Sequence, residues 1–61
     1  MRAKCIDKHY NKFGDTVVYV LSDQKGELVK LGPERLMQAL NSGSLSVSNL
    51  ALDNKGNIIE K

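Results

Sequence analysis

A four-residue motif, Asp-x-Lys-Gly, occurs twice in this chain of 61 residues. Asp23 and Asp53 open the two copies, and Gly26 and Gly56 close them. An Asp carboxylate at the first position of a type I turn accepts backbone N–H groups, and a Gly at the fourth position adopts the left-handed conformation of a bulge. Because runs of β-branched and aliphatic residues flank both copies, each motif predicts the turn of a β-hairpin.

An ion-binding interpretation of the same motif does not fit the residue spacing. A calcium loop carries carboxylates or amides at alternate positions and a Gly at the sixth. In the second copy, Lys55 occupies the alternate position after Asp53, and Gly56 comes too early. A phosphate-binding loop is rich in Gly and opens a helix, which neither copy does. The sequence therefore predicts neither a metal site nor a cofactor site.

The segments around the motifs complete an α+β pattern. Residues 16–31 and 45–60 predict two β-hairpins, and residues 2–10 predict an N-terminal strand. Between the hairpins, residues 33–41 predict a short helix, with Pro33 at its first position and Gly43 as its C-terminal stop. We therefore expect one α+β domain over residues 1–61, with an antiparallel sheet.

The turn type also predicts the pairing of the strands and hence the two faces of the sheet. Leu21 should lie opposite Val29, and Leu52 opposite Ile58, and aliphatic side chains then occupy both faces. A sheet with a single buried face alternates cleanly between apolar and polar residues. Because one short helix covers only one face, two alternatives remain: a closed SH3-like barrel, or a homodimer built across the sheet.

Cysteine content and hydropathy indicate where such a chain resides. Cys5 is the only cysteine, so the chain forms no internal disulfide. No apolar run approaches the roughly 20 residues that cross a bilayer, and the first residues lack the apolar centre of a signal peptide. We therefore expect a cytoplasmic protein that has no membrane partner.

Residues with catalytic chemistry are few. Cys5 and His9 are the only candidate nucleophile and base, and four residues of strand separate them by about 13 Å, which exceeds hydrogen-bond reach. With one Cys and one His, a zinc site is not expected either. The sequence thus predicts no catalytic residue and a non-enzymatic protein.

Asn49 interrupts the apolar spacing of residues 45–52. A buried Asn must have its amide paired. We interpret it as a residue that bonds the backbone at the connection between helix and strand. A β-bulge and a polar contact across an interface are the alternatives.

Basic residues are concentrated near the N-terminus. Residues 1–12 contain four of the nine Lys and Arg residues of the chain and one acid, Asp7. One interpretation is a solvated edge strand, on which lysines discourage aggregation. The other is a nucleic-acid interface, in which bases bind phosphates and an aromatic ring stacks on a nucleobase. Its candidate residues are Arg2, Lys4, Lys8, Tyr10 and Lys12.

The tract "LMQALNSGSLSVSNLALDNKGNII", residues 36–59, resembles small uncharacterised proteins of prophages and mobile elements in Gram-positive bacteria. In both, a short helix ends in Ser-Gly or Asn-Gly, and a strand with Val-x-Asn-Leu leads to a Gly turn. The resemblance implies a small accessory protein and assigns no functional residue. From the small size, the missing catalytic chemistry and this resemblance, we expect a protein-binding protein that self-associates through a sheet face or edge and has an unidentified protein partner. A nucleic-acid-binding module is the alternative.

Overall fold

The computed structural model describes residues 1–61 and confirms the α+β prediction. A mixed sheet contains four strands in the order β3-β2-β1-β4, and β5 and β6 form a separate two-stranded sheet. The elements are β1 (Arg2–Tyr10), β2 (Thr16–Asp23), β3 (Leu28–Leu31), α1 (Pro33–Ser42), β4 (Ser46–Val47), β5 (Leu50–Leu52) and β6 (Ile58–Glu60).

Both Asp-x-Lys-Gly motifs form the predicted turns. The Oδ1 atom of Asp23 accepts the backbone N–H groups of Lys25 at 2.8 Å and Glu27 at 2.9 Å. Gly26 has a φ of +84°, a conformation that a Cβ atom disfavours. Asp53 makes the equivalent two bonds at 2.9 and 2.8 Å. Hydrogen bonds from backbone N–H groups, foremost that of Asn57, hold the pKa of Asp53 below its ordinary value.

A third turn of the same geometry joins β1 to β2 over residues 11–15, where the segment "NKFGD" predicts a turn into the second strand. The side-chain Oδ1 of Asn11 accepts the N–H groups of Phe13 at 2.9 Å and Asp15 at 3.0 Å. Gly14 again has a φ of +84°. An amide oxygen thus replaces the carboxylate of the other two turns. The hydrogen bonds of this turn therefore do not require a negative charge.

The hairpins keep their expected registers. Leu21 lies opposite Val29 in the first hairpin, and Leu52 lies opposite Ile58 in the second. In each case the turn sets the pairing, because the number of residues in the loop decides which residues face each other. These registers were predicted correctly from the turn residues alone.

The expectation of a continuous strand at the start of the second hairpin, and of an all-antiparallel sheet, was wrong. The chain turns at Ser48 and Asn49, which divides the segment into β4 and β5. β4 then pairs with β1 in parallel. The turn brings Val47 and Leu50 into one core, each only 2% exposed. In a continuous strand, residues three apart point to opposite faces, so the break buries both side chains together.

The hydrophobic core lies between α1 and one face of the four-stranded sheet. Leu21 of β2 and Leu36 of α1 are fully buried at its centre. Helix α1 begins at Pro33 and is followed by Gly43 in the left-handed conformation, as predicted. The buried cluster comprises Ala3, Cys5, Tyr19, Leu21, Leu36, Leu45, Val47 and Leu50.

The sheet does not close into a barrel, so the SH3-like alternative was wrong. β3 and β4 remain the outer strands, with no pairing between them. The hairpin of β5 and β6 forms its own sheet and contacts α1 through β5. Because helix and hairpin both serve the same core, the opposite face of the four-stranded sheet stays uncovered.

Candidate interaction surface

A β-bulge in β1 decides which side chains reach the uncovered face. Cys5 pairs with Leu21 and Asp7 pairs with Val20, which leaves Ile6 as an extra residue. Past the bulge the alternation of side chains is inverted. Lys8 therefore points to the helix side of the sheet, opposite Tyr19, whereas strictly regular alternation would place it on the same face as Lys4.

We call the sheet surface opposite α1 the open face. Two rows of side chains cross it from β3 to β1: Leu28, Ser22 and Lys4, and then Lys30, Val20 and Asp7. The open face comprises Arg2, Lys4, Ile6, Asp7, His9, Val18, Val20, Ser22, Leu28 and Lys30.

Aliphatic side chains at the centre of the open face contact water. Ile6 is 53% exposed and Leu28 is 60% exposed, whereas Val20 between them is 5% exposed because its neighbours on the face surround it. Scattered single apolar residues are normal on protein surfaces, but a contiguous apolar group with a polar rim marks an interaction site. On the open face, Ile6 and Leu28 lie on either side of Val20, and the charged residues Lys4 and Lys30 lie beside them.

The five residues of the predicted nucleic-acid interface do not form one surface. Arg2 and Lys4 lie on the open face. Lys8 lies on the other face and forms an ion pair with Glu60. Lys12 sits in the turn after β1, with its ammonium 5.2 Å from the centre of the Phe13 ring.

Tyr10, the fifth candidate, lies apart from the open face, whereas Lys30, which was not a candidate, lies on it. Tyr10 is 61% exposed at the end of β1, past a second irregularity in the pairing. Lys30 belongs to the open face, but the sequence analysis did not include it as a site residue. The predicted hairpin register, which places Lys30 opposite Val20, is the signal that could have identified it.

Side chains block the outer edge of β1, where β4 is only two residues long. The Oδ1 atom of Asn49 accepts the N–H of Cys5 at 2.9 Å, and its Nδ2 donates to the carbonyl of Cys5 at 2.8 Å. Further along, the carboxylate of Asp7 accepts the N–H of Lys8 at 2.8 Å. These bonds occupy backbone groups that an added strand would need. The open face is therefore more accessible to a partner than this edge of β1.

The same geometry assigns the role of Asn49 and the position of the N-terminal strand in the sheet. Asn49 bonds backbone, as expected, but its partner is strand β1 and not the connection between helix and strand. β2 and β4 flank the first residues of β1 on both sides, so β1 is an edge strand only beyond Cys5. The N-terminal strand is thus an inner strand over its first residues and an edge strand over the rest.

Cys5 and His9 are separated by the sheet itself. Cys5 is 8% exposed and belongs to the core, whereas His9 lies on the open face with its Nε2 4.0 Å from the Oδ2 of Asp7. No group of three or more His, Cys, Asp and Glu side chains is close enough to hold a metal ion. None of the helical structure has the length and apolar character needed to cross a bilayer.

Comparison with known proteins gives no match. No family model, no curated protein and no solved structure matches the chain. The resemblance of residues 36–59 to prophage proteins therefore stays a prediction.

Proposed function

We propose that this chain is a small non-enzymatic protein-binding protein that self-associates as a homodimer through the open face. The supporting observation is the exposure of Ile6 and Leu28, at 53% and 60%, on a sheet face that no helix covers. Full burial of one such side chain is worth about 1.5–3 kcal/mol. A domain this small has a thin stability margin, so a second copy that covers the face contributes substantially.

The dimensions of the open face suggest how tight the association is. The eight residues of β2 span about 26 Å, and three strands are roughly 14 Å wide including their margins. Specific protein interfaces bury about 1,200–2,000 Å² in total. A face of this size covers about 360 Å², so two copies bury only about 700 Å² in total, which is below that range and typical of a weak, transient contact. We therefore expect a reversible dimer whose population depends on concentration.

Light scattering coupled to size-exclusion chromatography tests the proposal. The mass should rise from the monomer value of 6.8 kDa toward twice that value as concentration rises from micromolar to millimolar. Leu28→Asp should keep the chain monomeric, because it places a charge in the apolar part of the open face. Ile59→Asp is the matched control, since Ile59 is 45% exposed on β6 and outside this face. A wild-type chain that is monomeric throughout contradicts the proposal.

An accessory role in the cytoplasm, with a phage or mobile-element origin, follows from the resemblance of residues 36–59. In this role the protein binds and modulates a further protein of the phage or its host. A pull-down with the tagged full chain should then return a protein besides the chain itself. Recovery of the chain alone counts against the role but leaves self-association intact.

Binding of single-stranded nucleic acid is the second candidate function, and the charge of the open face favours it. Arg2, Lys4 and Lys30 lie on this face, where Asp7 is the one acid. Three phosphate contacts predict that log affinity falls with log salt with a slope of roughly −2. Lys4→Glu should remove most binding to a fluorescent oligonucleotide, and Lys55→Glu, on the distant hairpin turn, should not. Equal binding by both variants and wild type would reject this candidate.

A further inference from the structure

We infer that two copies of the chain meet open face to open face about a two-fold axis nearly parallel to β2, so that Lys30 pairs with the partner's Asp7. This inference rests on the proposed self-association and specifies its geometry. It makes Lys30 and Asp7 the residues that select the orientation of the two copies.

The argument begins with one row of the sheet. Lys30, Val20 and Asp7 lie side by side across β3, β2 and β1. Neighbouring strands are about 4.8 Å apart, so a positive and a negative side chain stand on either side of Val20. A half-turn about an axis along β2 exchanges the two sides. It places Lys30 over the partner's Asp7, and Asp7 over the partner's Lys30.

The same rotation brings apolar side chains together. Val18 and Val20 lie on β2, along which the axis runs, so each of them faces the same residue of the partner subunit. Ile6, in the bulge of β1, lies over β3 of the partner subunit and next to the partner's Leu28. Two packed sheets are about 10 Å apart and align within roughly 30°. Leu28 itself lies over the partner's Lys4, so the two exposed apolar side chains lie side by side in the interface and both leave water.

Charge disfavours one alternative arrangement. A two-fold axis across the strands, through the row of Val20, would place Lys30 over the partner's Lys30 and Asp7 over the partner's Asp7. Like charges placed opposite each other oppose association. The carboxylate of Asp7 is also held in place by its bond to the N–H of Lys8, while its side chain remains 65% exposed. It is therefore positioned and accessible for a cation of the second copy.

Charge reversal tests this geometry, with association measured by light scattering and analytical ultracentrifugation. Asp7→Lys and Lys30→Glu should each weaken self-association about tenfold, since each variant creates two like-charge contacts per dimer. In an equimolar mixture of the two variants, each contact again joins opposite charges. The mixture should therefore form a heterodimer with nearly wild-type affinity. Lys55→Glu, outside the open face, is the control for a change in net charge.

A second variant at Asp7 and the mixing experiment distinguish a wrong axis from a misfolded variant. Asp7→Lys also removes the acceptor of the Lys8 N–H, so Asp7→Asn, which retains an oxygen there, serves as a second variant and should weaken the dimer less. Restoration in the mixture supports the inference, because misfolded chains would not recover on mixing. A dimer that is insensitive to both reversals overturns this axis but leaves the proposed function standing. A monomeric wild-type chain overturns both.

Discussion

Leu36→Ala should destabilise the domain by about 2–5 kcal/mol, the range for truncation of a buried Leu. Leu36 is fully buried and is the one residue of α1 in the buried cluster. Its side chain joins the helix to the sheet. The whole domain, at 61 residues, has a stability of roughly 3–9 kcal/mol. The substitution should therefore bring the chain close to unfolding, as measured by urea titration with circular dichroism.

Leu28→Ala is the matched control, because it is the same substitution on a side chain that is 60% exposed. At low concentration it should change the free energy of unfolding by less than about 0.5 kcal/mol. Leu36→Met, which keeps the volume, should cost less than about 1.5 kcal/mol and show that the site tolerates a fitting side chain. Equal losses for Leu36→Ala and Leu28→Ala in dilute solution would contradict the placement of the core.

Asn49→Ala should destabilise the domain by about 1–3 kcal/mol. The substitution removes both hydrogen bonds to the backbone of Cys5, across 44 residues of sequence. The N–H and carbonyl groups of Cys5 are then left unpaired in a partly buried position, which is costly. Urea titration should show the loss, and the N–H of Cys5 should exchange faster with deuterium. Ser48→Ala changes an exposed neighbour that has no side-chain hydrogen bond, and should be neutral.

Asn49→Asp distinguishes the bond that the side chain accepts from the bond that it donates, because a carboxylate can replace only the acceptor. A carboxylate can still accept the N–H of Cys5, but it repels the carbonyl oxygen that the amide had bonded. The folded state therefore prefers the protonated acid, and the carboxyl pKa is raised above its unfolded value. Its stability should then be greatest below about pH 4 and decline as the pH rises. A stability loss relative to wild type that is independent of pH would contradict this role of Asn49.

Leu36 and Asn49 determine two different parts of the accessible surface. Leu36 supplies the cover on one face of the sheet, and Asn49 closes the outer edge of β1. With one face covered and that edge blocked, the open face and the outer edge of β3 are the surfaces left for a partner. The variant pairs Leu36→Ala with Leu28→Ala, and Asn49→Ala with Ser48→Ala, therefore test whether the accessible surface has been assigned correctly.

The alternation of β1 shows where prediction from sequence fails. Strictly regular alternation places Lys8 on the same face as Lys4, and both residues were candidates for the nucleic-acid interface. The bulge at Ile6 inverts the later part of the strand, so Lys8 meets Glu60 on the other face. Nothing local in the residues around Ile6 marks the bulge, because it results from pairing with β2. The strand itself was predicted correctly, but the residues that share its exposed face were not: Lys8 lies on the other face.

The amino-acid sequence by itself determined the turns at Asp23 and Asp53, the hairpin registers and the helix that begins at Pro33. These features depend on interactions within a few residues, which the local residue types control. Only the tertiary structure decided that β4 pairs with β1, that Asn49 caps Cys5 and that one sheet face stays open. Those outcomes depend on contacts between residues more than forty positions apart, and such contacts form only when the whole chain has packed around its single core.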